Sequence, residues 1–350
     1  MNKVKCIYKF RDNNGNIKGY KLQSDDGALY DVWANKLKEA IRDGRVCVEN
    51  LTLTADNRLV DRNVESPTDS ISKINKIRKK AELIGSVIRL PIYCNHVVEY
   101  ISMGSDKAIL YIPDDVEITD IIFSPDKNSK LVGNTDNTEL YVCGGVNIRN
   151  ANLMFFGARF KTIHFENFGS GKVDTMQNMF QSTHIKTLDL SKLSTINVKN
   201  MQAMFSNAHI QEMSLIMDTS NVETMSSMFD NCQTNKLDLF AFDTRKVTKM
   251  DRMFAHCNAK EIKLNSFDTS NVTTMEAMFV ACLVSKIEMK NFSLVSCESI
   301  KEMFKGIDTA ELDLSSFKIP RKCKTEDVFK YSRLKNIKTT DKKLLKLFNG

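Results

Sequence analysis

No stretch of this 350-residue chain approaches the ~20 apolar residues that a membrane-spanning helix requires. Its first residues, MNKVKCIYKFRDNNGNIKG, hold no apolar core of a secretory signal. Cytoplasmic residence is therefore the expectation, with export by a non-classical route left open. There are nine Cys but no C-x-x-C pair, and an odd number at these spacings makes no disulfide framework. A Walker A loop, a dinucleotide fingerprint and zinc-ligand spacing are all missing. The five His are scattered, and His96 is merely a sequence neighbour of Cys94, which does not make a nucleophile and base in space. No catalytic residue, metal ligand or cofactor is expected, and the chain reads as a non-enzyme.

What the sequence does hold is a repeat. Phe recurs at Phe155, Phe180, Phe205, Phe229, Phe254, Phe279, Phe304 and Phe329, spaced by 25 residues, or by 24 between Phe205 and Phe229. Self-similarity at this period marks a solenoid. Apolar pairs such as Met250/Met253 and Met275/Met278 precede the Phe at i, i+3 spacing, which predicts a short helical or 3₁₀ turn. Eight residues after each Phe comes an apolar-polar-apolar alternation, for example Leu188-Asp189-Leu190 and Ile262-Lys263-Leu264. That is the pattern of a half-buried strand. One such unit cannot bury its own apolar face, so the Met, Phe and Leu columns are expected to stack coil on coil. Cys232, Cys257 and Cys282 occupy a column that holds Ala158, Ala208 and Thr183 elsewhere, which predicts buried free thiols. Asp218, Asp243 and Asp268 open D-T-S-N or D-T-R-K turns and are expected to accept backbone N–H bonds.

The strings DTSNVETMSSMF (Asp218 to Phe229), FDTSNVTTMEAMF (Phe267 to Phe279) and TLDLSKL (Thr187 to Leu193) resemble the bacterial BspA-like leucine-rich-repeat surface proteins over about residues 145–340. The resemblance implies a curved leucine-rich-repeat-like solenoid of parallel strands, no enzymatic activity, and a role in adhesion or protein recognition. Two features depart from that pattern. No export signal is expected from the first residues, and Cys297 and Lys322 replace the Val of earlier copies, so the seventh and eighth coils are expected to decay toward a cap.

The fold class expected is an α/β repeat solenoid of short parallel strands with helical or 3₁₀ turns, preceded by a small β-rich α+β domain. Residues 1–64 form that domain, an adaptor with a hairpin (Val4 to Phe10, Ile17 to Leu22) and a helix over Ala34 to Arg42. Residues 65–85 are a linker and helix. Residues 86–145 are a β-rich N-terminal cap for the solenoid's open end, with strands at Val87 to Ile92, Ala108 to Ile112, Ile118 to Phe123 and Leu140 to Val142. Residues 146–340 are the eight coils with a basic C-terminal cap.

The net charge of +7 is uneven: eleven Lys/Arg face three acidic residues between Lys318 and Lys346. This segment offers one partner class, a nucleic acid or an anionic surface, or else serves as a solvated end. The candidate binding residues are the exposed strand positions His164, Asp189, Ser214, Asp238, Lys263, Glu288, Asp313 and Lys338. Their signs are mixed, which suits a protein partner recognised by charge pattern and equally suits a sheet face kept soluble. A non-enzymatic protein-recognition module is the preferred reading, and binding to nucleic acid or an anionic surface the alternative.

Overall fold

A computed structural model describes residues 2–11, 17–24, 29–33, 37–38, 46–48, 51–53, 59–61, 87–92, 96–103, 106–112, 136–145, 147–166, 168 and 171–350. The chain divides into two compact units, Met1–Ile74 and Asn75–Gly350.

In the first unit β1 (Asn2–Arg11) pairs antiparallel with β2 (Ile17–Ser24), and β2 with β3 (Leu29–Trp33). β4 (Val46–Val48) adds to β1 in parallel, while β5 (Leu51–Leu53) and β6 (Leu59–Asp61) make a separate hairpin. Of the helix expected over Ala34 to Arg42, only Leu37 and Lys38 are described; both are helical, and Leu37 is buried. The linker helix expected over 65–85 and the strand at Ile118 to Phe123 lie outside the described residues.

The second unit is a parallel β-solenoid. β7 (Val87–Ile92), β8 (His96–Ser102) and β9 (Lys107–Ile112) form an antiparallel lead-in. From β9 onward every neighbour is parallel: β10 (Glu139–Gly144), β11 (Arg159–Glu166), β12 (His184–Asp189) and β13 (His209–Ser214) complete a seven-stranded sheet. The ladder resumes with β14 (Lys236–Asp238), β15 (Asn258–Lys263) and β16 (Leu283–Glu288), and ends with β17 (Glu311–Asp313) beside β18 (Asn336–Lys338). The antiparallel lead-in thus shares hydrogen bonds with the first parallel strand, so that edge is paired. β8 went unread in the sequence because its apolar and polar residues do not alternate cleanly.

The expected helical or 3₁₀ turns are not there. Among the described residues of this unit the single helix is α1 (Lys342–Asn349). The M-x-x-M-F-x-x-C segment is instead two tight turns in series. In the central coil Met253 N–H donates to Met250 and Cys257 N–H to Phe254, each three residues back. The third residue of each turn is left-handed, with φ of 54° at both Arg252 and His256. The same two columns are left-handed in all eight coils, from Leu153 and Gly157 to Asp327 and Tyr331. A left-handed residue every fourth position cannot continue a right-handed helix. The N–H groups of Met250, Arg252, Phe254 and His256 donate instead to the next coil, at 2.7–3.0 Å. Both structures bring residues i and i+3 together, so the i, i+3 apolar spacing fits these tight turns as well as the helical or 3₁₀ turn that was expected.

The core is a set of stacked columns. The eight repeat Phe rings lie parallel with centroids 5.3–5.6 Å apart. A second column, Phe242, Phe267, Phe292 and Phe317, stacks at 5.8–6.3 Å. The repeat Met residues are fully buried beside the first column, which is core filling as expected. Between Phe columns runs a ladder of buried Thr. Thr219, Thr244 and Thr269 each donate to a carbonyl of the next coil, at 2.8–3.0 Å, and accept the N–H of that same residue, at 2.7–2.9 Å. At the far end α1 closes the stack. Asp341 accepts from the N–H groups of Lys343 and Leu344 as the N-cap, Leu344 is fully buried, and Phe348 meets Phe329 edge-on at 5.5 Å. The basic C-terminal segment is therefore a packed cap with a charged outer face.

Candidate functional site: the strand face of the solenoid

Every coil contributes its strand to one side, and the outward positions form two neighbouring facets. The first carries the eight candidate residues. His164 stacks on Tyr141 at 4.8 Å, and Asp189 accepts the Ser191 N–H at 2.9 Å. Ser214 is half-buried at the end of β13. The remaining five, Asp238, Lys263, Glu288, Asp313 and Lys338, all enter ion pairs within the face. Lys338 reaches Asp313 at 3.0 Å, and Lys263 lies 3.9 Å from Asp238.

These pairs form a checkerboard with the next outward column. Lys236 lies 3.2 Å from Asp238 on its own strand and 3.8 Å from Glu261 on the next. Glu261 is also 3.8 Å from Lys263 and 3.6 Å from Lys286, and Lys286 is 2.5 Å from Glu288. The hydrogen bond from Lys286 holds the Glu288 carboxyl below its usual range. At Asp313, bonds from the Ser315 hydroxyl and Lys338 pull the carboxyl down to about 2. The mixed signs read from the sequence are thus largely neutralised inside the face, coil against coil. Solvent-exposed pairs of this kind set register and specificity more than they add stability.

The second facet lies at the beginning of the strands and was not singled out in the sequence. A groove of about 740 Å³ crosses β12, β13 and the two coils that follow. His184 and His209 stack face to face along it, 4.6 Å apart and 4° from parallel. Burial, the His209 ring and Arg159 together hold His184 below its ordinary value. The groove opens where the continuous ladder is interrupted: His209, Gln233 and Asn258 are joined only by single bridges. Thr234 takes the inward place held by Ile185 and Ile210 in the preceding coils. A small polar side chain there neither fills the core nor finds a partner, and its hydroxyl is buried without a hydrogen bond. The loss of an apolar residue at this column is visible in the sequence but does not by itself mark a groove, since Thr309 occupies the same column in a later coil.

The other sequence candidates resolve simply. Asp218, Asp243 and Asp268 each accept the N–H two residues on, at 3.0–3.2 Å, which is the turn role expected. Cys232, Cys257 and Cys282 are buried free thiols, and burial pushes Cys232 well up. Cys323 differs: a hydrogen bond with Cys297 and the nearby Lys343 ammonium hold its thiol below the usual value. Among the described residues no group of three or more His, Cys, Asp or Glu is placed to hold a metal ion. Of the eleven terminal cations, Lys318, Lys330, Arg333, Lys338 and Lys343 are hydrogen-bonded within the cap. No described helix is long and apolar enough to cross a membrane.

No curated protein and no solved structure matches the chain. One family model does, described as "Mycoplasma protein of unknown function, DUF285", and it matches twice, over residues 134–239 and 210–317. The overlapping matches are what a periodic chain produces, since the model can be laid on the coils in more than one register. Together they span residues 134–317, just over half of the sequence and nearly all of the stacked core described above. The broader likeness to repeat proteins stands, while the narrower one to leucine-rich-repeat surface proteins goes beyond this match; by its coils, the chain belongs to the DUF285 family.

Proposed function

We propose that this protein is a non-enzymatic recognition module whose solenoid presents its strand face to a protein partner. The observation that carries the reading is the contrast between columns. Buried columns repeat almost without change, as in the eight Phe and the Met pairs, while the outward strand positions vary from coil to coil on the same scaffold. Stacked coils hold those positions at a spacing of roughly 4.8 Å, a rigid two-dimensional array of side chains. Rigid arrays bind with little ordering cost, and charge pattern then selects the partner.

Photo-crosslinking tests this. A benzoylphenylalanine is placed at Glu212 or Lys286 on the strand face, or at Gln202 in the turn ladder, all three exposed. In a native lysate the two strand-face positions are expected to give the same discrete protein adduct and Gln202 none. Adducts only from Gln202, or from no position, would remove the strand face from the reading.

A second reading rests on Arg321, Lys322, Lys324, Lys335, Lys342 and Lys346. These terminal cations make no ion pair among the described residues, and they would serve a nucleic acid or an anionic surface. Retention of the protein on DNA, RNA or anionic vesicles would then fall steeply with salt. Salt-insensitive retention, or none, removes it.

A further inference from the structure

We infer that the groove crossing β12 to β15 binds an extended, acidic peptide segment of the partner, laid along the solenoid axis. This deepens the strand-face reading and rests on it.

The groove differs from the rest of the face in its charge. On the neighbouring facet lysines meet carboxylates, as Lys236, Lys263, Lys286 and Lys338 all do. In the groove Lys186 and Lys260 are exposed and make no ion pair among the described residues. The lone carboxylate on its wall, Asp136, is held by Arg159 at 2.8 Å. Glu212 and Glu261, which follow on the same strands, do not line it. Two positive charges are therefore left uncompensated.

Its other groups are donors at regular intervals. Lys186, Gln211, Asn235 and Lys260 occupy one column in four successive coils, all exposed. Beside them runs the column that starts with the stacked His184 and His209 and continues with the amides of Gln233 and Asn258. Two buried polar atoms on the wall, Nδ1 of His209 and Oγ1 of Thr234, have no partner. Both are closed off from solvent, so the groups that a ligand can reach are the two outward columns.

Spacing selects the occupant. Three coil intervals of about 4.8 Å place Lys186 and Lys260 roughly 14 Å apart. An extended peptide rises about 3.4 Å per residue, with alternate side chains on one face, so residues i and i+4 share a face at nearly the same separation. Acidic side chains at i and i+4 would meet the two lysines, and residue i+2 the amides of Gln211 and Asn235. The amides of Gln211 and Asn235 between the two lysines suit a peptide's polar groups, and an oligogalacturonate serves as the competing polyanion in the test.

The test uses the full-length protein and fluorescence anisotropy. The probes are a labelled octaglutamate peptide, an octaglutamine peptide and an oligogalacturonate of equal charge. Octaglutamate is expected to bind saturably, at least tenfold tighter than either other probe, and to weaken as salt rises. Lys186→Glu with Lys260→Glu should lose at least tenfold, and Gln211→Glu several-fold. Lys290→Glu with Lys301→Glu, equal in net charge but away from the groove, should change binding less than twofold. Thermal melting by circular dichroism checks folding; should the groove double variant fail to fold, Lys186→Gln with Lys260→Gln carries the same expectation. No saturable binding of octaglutamate, equal losses in the two double variants, or equal binding of oligogalacturonate would each overturn the inference. A Glu212 crosslink that survives in the groove variant would sink this inference alone and leave the strand-face reading standing.

Discussion

At the scale of the residue, the fold depends on backbone conformations that most side chains avoid. Sixteen positions, two in each coil, sit in the left-handed region, and fourteen of them are not glycine. Each costs on the order of 1 kcal/mol relative to an ordinary conformation, offset by the inter-coil hydrogen bonds that the turn makes possible. Asn231 is exposed at φ 54°, where it bonds to Asn207 in the coil before. Asn231→Gly should leave stability within a few tenths of a kcal/mol, since glycine adopts this conformation freely. Asn231→Val should cost about 1–2 kcal/mol, because a β-branched residue is poorly accommodated there. Urea denaturation of the two variants decides the matter; equal stability would mean that the turn is not left-handed in solution. The sequence hinted at this geometry through Asn, Ser, Ala and Gly in those columns, yet Arg252 and His256 hid it.

At the scale of the element, what joins one coil to the next is mostly hydrogen bonding along the axis. The strand ladder, the turn ladder and the single bridges from Asn150 through Thr175 to Lys324 run the length of the stack. The Thr ladder is the side-chain version of the same device. Thr244 is fully buried, donating to the Asp268 carbonyl at 2.8 Å and accepting the Asp268 N–H at 2.9 Å. Thr244→Val keeps the shape and removes both bonds. Leaving the Asp268 N–H and C=O without these bonds should cost about 1–3 kcal/mol, with little change in the denaturant slope, because the surface buried is the same. A loss below half a kcal/mol would show that water enters to replace the hydroxyl. Reading D-T-S-N as a turn signal found the Asp role and missed this one. A Thr that bonds within its turn and a Thr that bonds across coils look alike in one dimension.

At the scale of the whole molecule, the solenoid is a stack with two differently made ends. One is continued by the antiparallel lead-in β7–β8–β9, the other closed by α1. Phe254 sits between Phe229 at 5.6 Å and Phe279 at 5.3 Å, and is fully buried. Phe329 has Phe304 at 5.6 Å on one side and only the edge of Phe348 on the other, and is 7% exposed. Phe254→Ala should therefore cost about 3–5 kcal/mol, and Phe329→Ala somewhat less, because the last coil can relax around its cavity. Deleting residues 341–350 should bring the cost of Phe329→Ala down sharply and leave that of Phe254→Ala unchanged, as read by urea midpoints. If the two truncation effects were equal, the coils would be unfolding as one block, with no independence at the end.

The sequence by itself determined the period, the number of coils, the identity of the core columns and the side from which the strands look outward. All of these follow from which residues are apolar and how often they return, and a stack must bury whatever returns with its period. It also placed the eight outward residues from His164 to Lys338 on one face. Only the tertiary structure decided three things. The turns became left-handed and not helical, because half of their N–H groups are claimed by a neighbouring coil about 25 residues away. The face neutralised its own charges, because Glu261 meets Lys236 and Lys286 only once the coils are in register. The groove at Lys186 and Lys260 exists only once four successive coils bring Lys186, Gln211, Asn235 and Lys260 into one column. Each of these is a relation between adjacent coils, and a one-dimensional period fixes which residues recur but not which of their hydrogen bonds and charges the next coil will take.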